Sequence, residues 1–158
     1  MSAAAVTWWG HSSMSIELGS ATVATDPLLT DRLYHLRRHA PSPPSEAAHA
    51  DLVLVSHLHH DHLHLPSLAG FPADVPIVVP RGATRVVKGL ARHSLVEVVP
   101  GDTLALAGVD VQVLRAQHSG SRSKFERGRG VPALGFRFSD GRSSVWYPGD
   151  TGARVDFT

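Results

Sequence analysis

Residues 51–57 read DLVLVSH: an apolar run with two β-branched members that stops abruptly at a histidine. A continuous run, rather than an alternating one, suits a strand buried on both faces. A second such run, PIVVP at 76–80, follows at a distance that a crossover can span. Between the two, HLPSLAGF predicts a short helical turn. From Gly82 onward, Ala83, Val86, Val87, Leu90 and Ala91 recur at helical spacing, which predicts a crossover helix ending near His93, with LVEVV as the returning strand. Strand, helix and strand in succession place the chain in the α/β class.

The flanks read as antiparallel. Met14, Ile16 and Leu18 alternate with polar residues, and Ala21 to Ala24 predicts a partner strand reached through the Gly19-Ser20 turn. Residues 31–50, with their PSPP stretch, predict a loop carrying one helical turn near Ser45 to Ala48. Further on, TLALAG and VDVQVLRAQH predict two strands, then SGSRSKFERGRG a basic loop. The closing segment ALGFRFSDGRSSVWYPGD predicts a hairpin turning at Asp140-Gly141. One domain over residues 1–158 is the expected organisation.

Composition narrows the chemistry. The chain has no cysteine, which excludes disulfides, thiolate metal sites and thiol catalysis, so any metal must be held by histidine and carboxylate. A formal net charge of +1 lacks the basic surplus expected of a nucleic-acid binder. There is no signal-like N-terminus and no apolar run approaching the ~18 residues of a membrane span, so the expected location is the cytoplasm.

Five of the 11 histidines fall within residues 57–64. The pattern is His57-x-His59-x-Asp61-His62. Where a strand ends, alternate residues share a face, so His57 and His59 can reach one point while Asp61 and His62 reach a second nearby. Such nitrogen and oxygen donors suit zinc or a similar divalent ion. The plain alternative is a polar turn that binds metal adventitiously. His60 and His64 fall outside the pattern: exposure is expected for His60, and a supporting or surface role for His64.

SHLHHDH resembles the HxHxDH motif of the metallo-β-lactamase superfamily. That resemblance implies an αββα sandwich with one or two divalent metal ions at its strand ends, zinc foremost, with manganese or iron as alternatives. It also implies further ligands, matched by His118 in RAQHSG and Asp150 in WYPGDTG. The motifs WWGHSS, TDP and YPGDTG resemble those of the branch containing ascorbate-6-phosphate lactonase-like and N-acylphosphatidylethanolamine phospholipase D-like hydrolases. His11 and Asp26 belong to these motifs and are candidates for substrate contact or ligand support, with packing an equal alternative for His11.

On the family pattern, His57, His59 and His118 complete a first metal set. Asp61, His62 and Asp150 form a second, one histidine short, and the C-terminal helix-and-strand portion of the sandwich is missing. A fragment of a longer protein is the favoured explanation; a ligand from a partner chain or solvent is the other. The implied activity is hydrolysis of an ester, lactone or phosphodiester by metal-activated water, oriented by the catalytic carboxylates Asp61 and Asp150. The basic loop with Arg122, Lys124, Arg127 and Arg129 is either a lid gripping an anionic small-molecule substrate or a solvated surface. Trp8, Trp9, Phe125 and Trp146 are expected in the core or as an apolar wall. Competing readings are a nuclease of the same superfamily and a non-catalytic metal-binding fragment, and homo-oligomerisation stays open.

Overall fold

A computed structural model describes residues 4–122 and 131–152. In chain order the strands are β1 Ala5–Gly10, β2 Ser13–Leu18, β3 Ala21–Thr25, β4 Arg32–Leu33, β5 Leu36–Arg37, β6 Leu52–Leu54, β7 Pro76–Pro80, β8 Ser94–Val98, β9 Thr103–Leu106, β10 Val109–Arg115, β11 Leu134–Ser139 and β12 Ser144–Tyr147. They form a six-stranded sheet in the order β1-β2-β3-β6-β7-β8, a four-stranded antiparallel sheet β12-β11-β10-β9, and the small β4-β5 pair. Within the large sheet β1, β2 and β3 are antiparallel, whereas β3, β6, β7 and β8 run parallel.

Period-2 alternation explains how one strand serves two cores. Leu52, Leu54 and Val78 point between the sheets, where they meet Val111, Val113, Leu134, Phe136 and Phe138. Val53, Val55, Ile77 and Val79 point the other way, under the helical turns with Leu58, Leu63, Leu68 and Leu90. The four-stranded sheet instead alternates buried Val109, Val111 and Val113 with exposed Asp110 and Gln112, so its outer face meets solvent. The layers are therefore helices, sheet and sheet, in agreement with the expected sandwich, and among the described residues no helix covers that outer face.

Several expectations need correction. The single helix from Gly82 to His93 is broken: α2 covers Ala83–Val86, Val87 leaves helical geometry at φ −116° and ψ 89°, and a 3₁₀ turn runs Lys88–Arg92. Two adjacent β-branched valines disfavour a long helix. Gly89 lies so close to α1 (Leu65–Leu68) that a Cβ there would come within 2.7 Å of Leu65 Cδ1. The loop over residues 31–50 contains the β4-β5 pair as well as the expected turn at Ser45–Ala48. Trp8 and Trp146 are exposed, not core. His64 is buried and pairs through Nδ1 with Ser67 Oγ, which also accepts the Leu29 N–H. His60 is half-buried, its ring edge-on to Tyr34.

The inter-sheet core carries the stability on which the site rests. Phe136 is fully buried at its centre. Phe136→Ala should cost about 3–5 kcal/mol, read as a lowered urea midpoint with an unchanged slope. A loss below about 1 kcal/mol would show that the two sheets do not pack as described.

Candidate metal centre

The site forms where β6 ends. Beyond Leu54 the chain turns away from the sheet, and Leu58 and Leu63, both fully buried, anchor the turn from below. The Leu63 N–H donates to the His59 carbonyl at 2.8 Å, which closes the turn and presents His57, His59, Asp61 and His62 on its upper side. Arg122 fixes the same turn from outside, donating through Nη1 to the carbonyls of Leu58 and Leu63 at 3.0 and 2.6 Å. Arg122 is thus a brace for the histidine loop rather than a lid or a solvated residue. Lys124, Phe125, Arg127 and Arg129 lie outside the described residues.

Two further segments complete the rim. His118 follows β10, and Asp150 follows β12. A clip joins them: the Gly152 N–H donates to the Gln117 carbonyl, and the Gln117 N–H to Thr151 Oγ1, both at 3.1 Å. Gly149 allows the approach. Its φ is +60°, and a Cβ there would meet Leu134 O and Ser56 Cβ at 2.8 Å.

These segments bring together the six ligand candidates. Donor atoms of His57, His59 and His118 lie within 4.8 Å of one another, close enough to converge on one cation. His57 Nε2 is 2.9 Å from His59 Nδ1, and His118 Nε2 is 3.3 Å from the same atom. Beside them His62 Nε2 lies 3.3 Å from Asp150 Oδ2 and 3.9 Å from Asp61 Oδ2. His11, from the β1–β2 turn, reaches Asp61 Oδ2 at 3.0 Å.

Of the two roles expected for Asp26, substrate contact or ligand support, its position favours the second. It is fully buried, which removes it from substrate contact, and its carboxylate is surrounded by donors. Oδ1 accepts the Ser56 N–H at 2.7 Å; Oδ2 accepts from Ser56 Oγ at 2.5 Å, Tyr147 Oη at 2.6 Å and His62 Nδ1 at 2.7 Å. Because Ser56 Oγ spends its proton on Asp26, the 2.9 Å contact with His57 Nδ1 requires that nitrogen to be the donor. His57 thus carries its proton on Nδ1 and turns an unprotonated Nε2 to the site, while His62 donates from Nδ1 to Asp26 and faces the site with Nε2. His62 Nε2 is buried and has no hydrogen-bond partner among the described residues. A buried imidazole nitrogen so oriented, next to carboxylate oxygens, fits a divalent cation.

Electrostatics divide the site. Burial, then the proximity of His62, pushes the His57 imidazole down to about 3. Burial and His118 also lower His59. Both are therefore neutral at physiological pH, as ligation requires. Burial would lower His62 too, but the bond to Asp26 and the charges of Asp26, Asp150 and Asp61 outweigh it and raise the value. Burial likewise opposes ionisation of Asp26, yet His62, Ser56 and Tyr147 together hold it below the usual carboxylate range. Tyr147 is pushed upward by burial and by Asp26, so it stays a donor.

Two outcomes follow. Asp26→Asn leaves buried donors facing an amide, and should cost about 3–5 kcal/mol by urea unfolding; a cost under about 1 kcal/mol would remove Asp26 from the centre of the network. In metal-free protein, His57 and His59 have depressed values, so the stability tied to them is present above their ordinary 6.5 and is lost as pH falls. His62 acts oppositely, its contribution being complete below 6.5. From His57 alone, lowering the pH to about 5 should remove about 2 kcal/mol, and the urea midpoint should drop. A midpoint that rises on acidification would show that His62 dominates.

Comparison with known proteins places this geometry. The family model for the beta-lactamase superfamily domain matches residues 21–156. A metal-dependent hydrolase of Thermoplasma acidophilum is 31% identical over 93% of this chain and 60% of its own length. A mitochondrial N-acyl-phosphatidylethanolamine-hydrolysing phospholipase D of Saccharomyces cerevisiae is 27% identical over 92% of this chain and 34% of its own. Among solved structures, a metallo hydrolase from the archaeon Ignicoccus hospitalis superposes with a TM-score of 0.65 at 22% identity, over 92% of this chain and 60% of that one. The chain thus spans roughly a third to three fifths of the length of the proteins it matches. With a match that takes in the histidine loop, His118 and Asp150, the chain belongs to the beta-lactamase superfamily domain family.

Proposed function

We propose that this domain is the metal-bearing part of a hydrolase acting on a small, anionic ester, lactone or phosphodiester. The observation that carries the reading is the convergence of His57, His59 and His118 at one strand-end rim, beside His62 Nε2 with Asp150 and Asp61 oxygens at 3.3 and 3.9 Å, and with Asp26 holding His62 from beneath. The relatives named as hydrolases support the reaction class.

In this reading His57, His59 and His118 hold one ion, zinc foremost, while Asp61, His62 and Asp150 face a second. A bound divalent ion supplies Lewis acidity and makes hydroxide available near neutral pH. The chain's own part is positional. Asp61 and Asp150 each turn an oxygen toward His62 Nε2 and are suited to orient a water and take its proton. The buried floor of Leu58 and Leu63 keeps bulk water from the histidines' lower side.

Substrate approach is supported by a cavity of about 360 Å³ that opens beside His11 and Asp61. Trp8, Leu28 and Leu36 give it apolar walls, and Arg32, Arg37 and Arg38 outnumber its carboxylates, Asp31 and Asp61. Arg38 donates to the carbonyls of Trp9 and Leu28, neutral acceptors that leave its charge intact. An anionic group with an apolar substituent matches that lining. Among the described residues no helix is long and apolar enough to cross a membrane.

The test is hydrolysis of activated phosphodiesters and esters by protein of known metal content. Activity should vanish on chelation, return with zinc, and fall at least about 100-fold in His59→Ala together with loss of bound metal. Full turnover by metal-free protein or by His59→Ala would overturn the reading.

A further inference from the structure

The fold brings a further histidine, from the turn between β1 and β2, to the donors around His62. We propose that His11, on the turn between β1 and β2, is a direct ligand of the second metal ion, alongside Asp61 and His62. The inference rests on the metal-hydrolase reading above and adds a ligand that the motif pattern does not supply.

Geometry is the first support. Donor atoms of His11, Asp61 and His62 all lie within 4.8 Å of one another, the same spread as in the His57, His59 and His118 group. His11 Nε2 stands 3.0 Å from Asp61 Oδ2, and its ring is edge-on to His62 at 5.0 Å between centroids. The second support is His62 itself. Its side chain is fully buried, Nδ1 is committed to Asp26, and Nε2 has no hydrogen-bond partner among the described residues. A buried ring nitrogen without a hydrogen-bond partner, facing carboxylate oxygens at 3.3 and 3.9 Å, is costly unless a positive charge occupies the space in front of it.

The third support is the turn that carries His11, whose backbone lies in the left-handed region and is tied from several directions. The β1–β2 register slips between Trp8 and Gly10, Gly10 has φ +110°, and His11 has φ +52°. Three carbonyls of this turn are tied by side chains from outside it. Arg38 Nη1 donates to Trp9 O at 2.7 Å, Trp8 Nε1 to His11 O at 2.8 Å, and Thr25 Oγ1 to Ser12 O at 3.3 Å. Strain persists where the surroundings over-determine it, and here the result is an imidazole aimed at Asp61. Its side chain is 43% exposed, so burial of the ring does not explain the arrangement.

A hydrogen bond to Asp61 is the competing role, and the experiment separates the two. Metal-free wild type, His11→Ala and His11→Gln are titrated with cobalt(II), following ions bound per chain by elemental analysis after dialysis, and the visible cobalt spectrum. The glutamine retains an N–H donor for Asp61 but is a poor ligand. Thermal unfolding of each metal-free variant verifies that the fold is kept. The expected result is two ions in the wild type, with the second weakened at least about tenfold in both variants and its spectral contribution lost. Two ions with wild-type affinity and spectrum in both variants would overturn the His11 assignment while leaving the hydrolase reading intact. Retention in His11→Gln but not His11→Ala would overturn it in favour of the hydrogen bond. Failure of the wild type to bind any ion would overturn both.

Discussion

The buried carboxylate of Asp26 is the constraint on which the rest depends. Removing a charge from water costs several kcal/mol, and that cost is offset here by donors arriving from every side. They come from Ser56 after β6, His62 in the histidine loop, and Tyr147 at the end of β12 in the second sheet. The backbone adds its own tie, since the Asp26 N–H donates to the Leu54 carbonyl at 2.9 Å and φ at Asp26 is +36°. No single element can satisfy this group. It is satisfied only when both sheets have packed, so the geometry of His57 and His62 is a consequence of the completed inter-sheet core.

This coupling explains why unusual backbone gathers at one edge of the sandwich. Among the described residues, His11 and Asp26 are two of the four non-glycine residues with positive φ, and both adjoin the site, as does Gly149. Strand ends supply the rigidity and the loops supply direction. The histidine loop is anchored by Leu58 and Leu63 below and Arg122 outside, the β1–β2 turn by Arg38 and Trp8, and the Asp150 loop by its clip to Gln117. Each donor side chain therefore begins from a backbone that has little freedom left to lose when a ligand is bound.

What could be read in the sequence follows from the range of the interactions involved. His57, His59, Asp61 and His62 were legible because their juxtaposition is set by local spacing at the end of a recognisable strand. The buried strands β6 and β7 were legible for the same reason. Asp26 was legible as a candidate for substrate contact or ligand support, but its partners were not, because they lie 30, 36 and 121 residues away. Strand β1 escaped notice since its residues are mostly exposed and carry no alternation. The helix after Gly82 was misread because spacing alone cannot register the close packing of Gly89 on Leu65. His64 bears the same residue type as the ligand candidates, and only its contact with Ser67 separates it from them.

The two donor groups, although adjacent, differ in what they ask of a cation. Around His59 Nδ1, both His57 Nε2 and His118 Nε2 approach within hydrogen-bond distance, yet His57 has already placed its proton on Nδ1. One proton on His59 can satisfy only one of these contacts. Adding further protons is opposed by burial and by mutual repulsion of the imidazoles. A single divalent ion would resolve all three at once, with no proton to displace near neutral pH. Around His62 the surroundings are acidic, and they stabilise a proton as well as a metal. An ion entering there must compete with that proton. The two groups therefore differ in protonation: burial and neighbouring imidazoles hold the first neutral, whereas Asp26 foremost, then Asp150 and Asp61, favour a proton on His62 in the second.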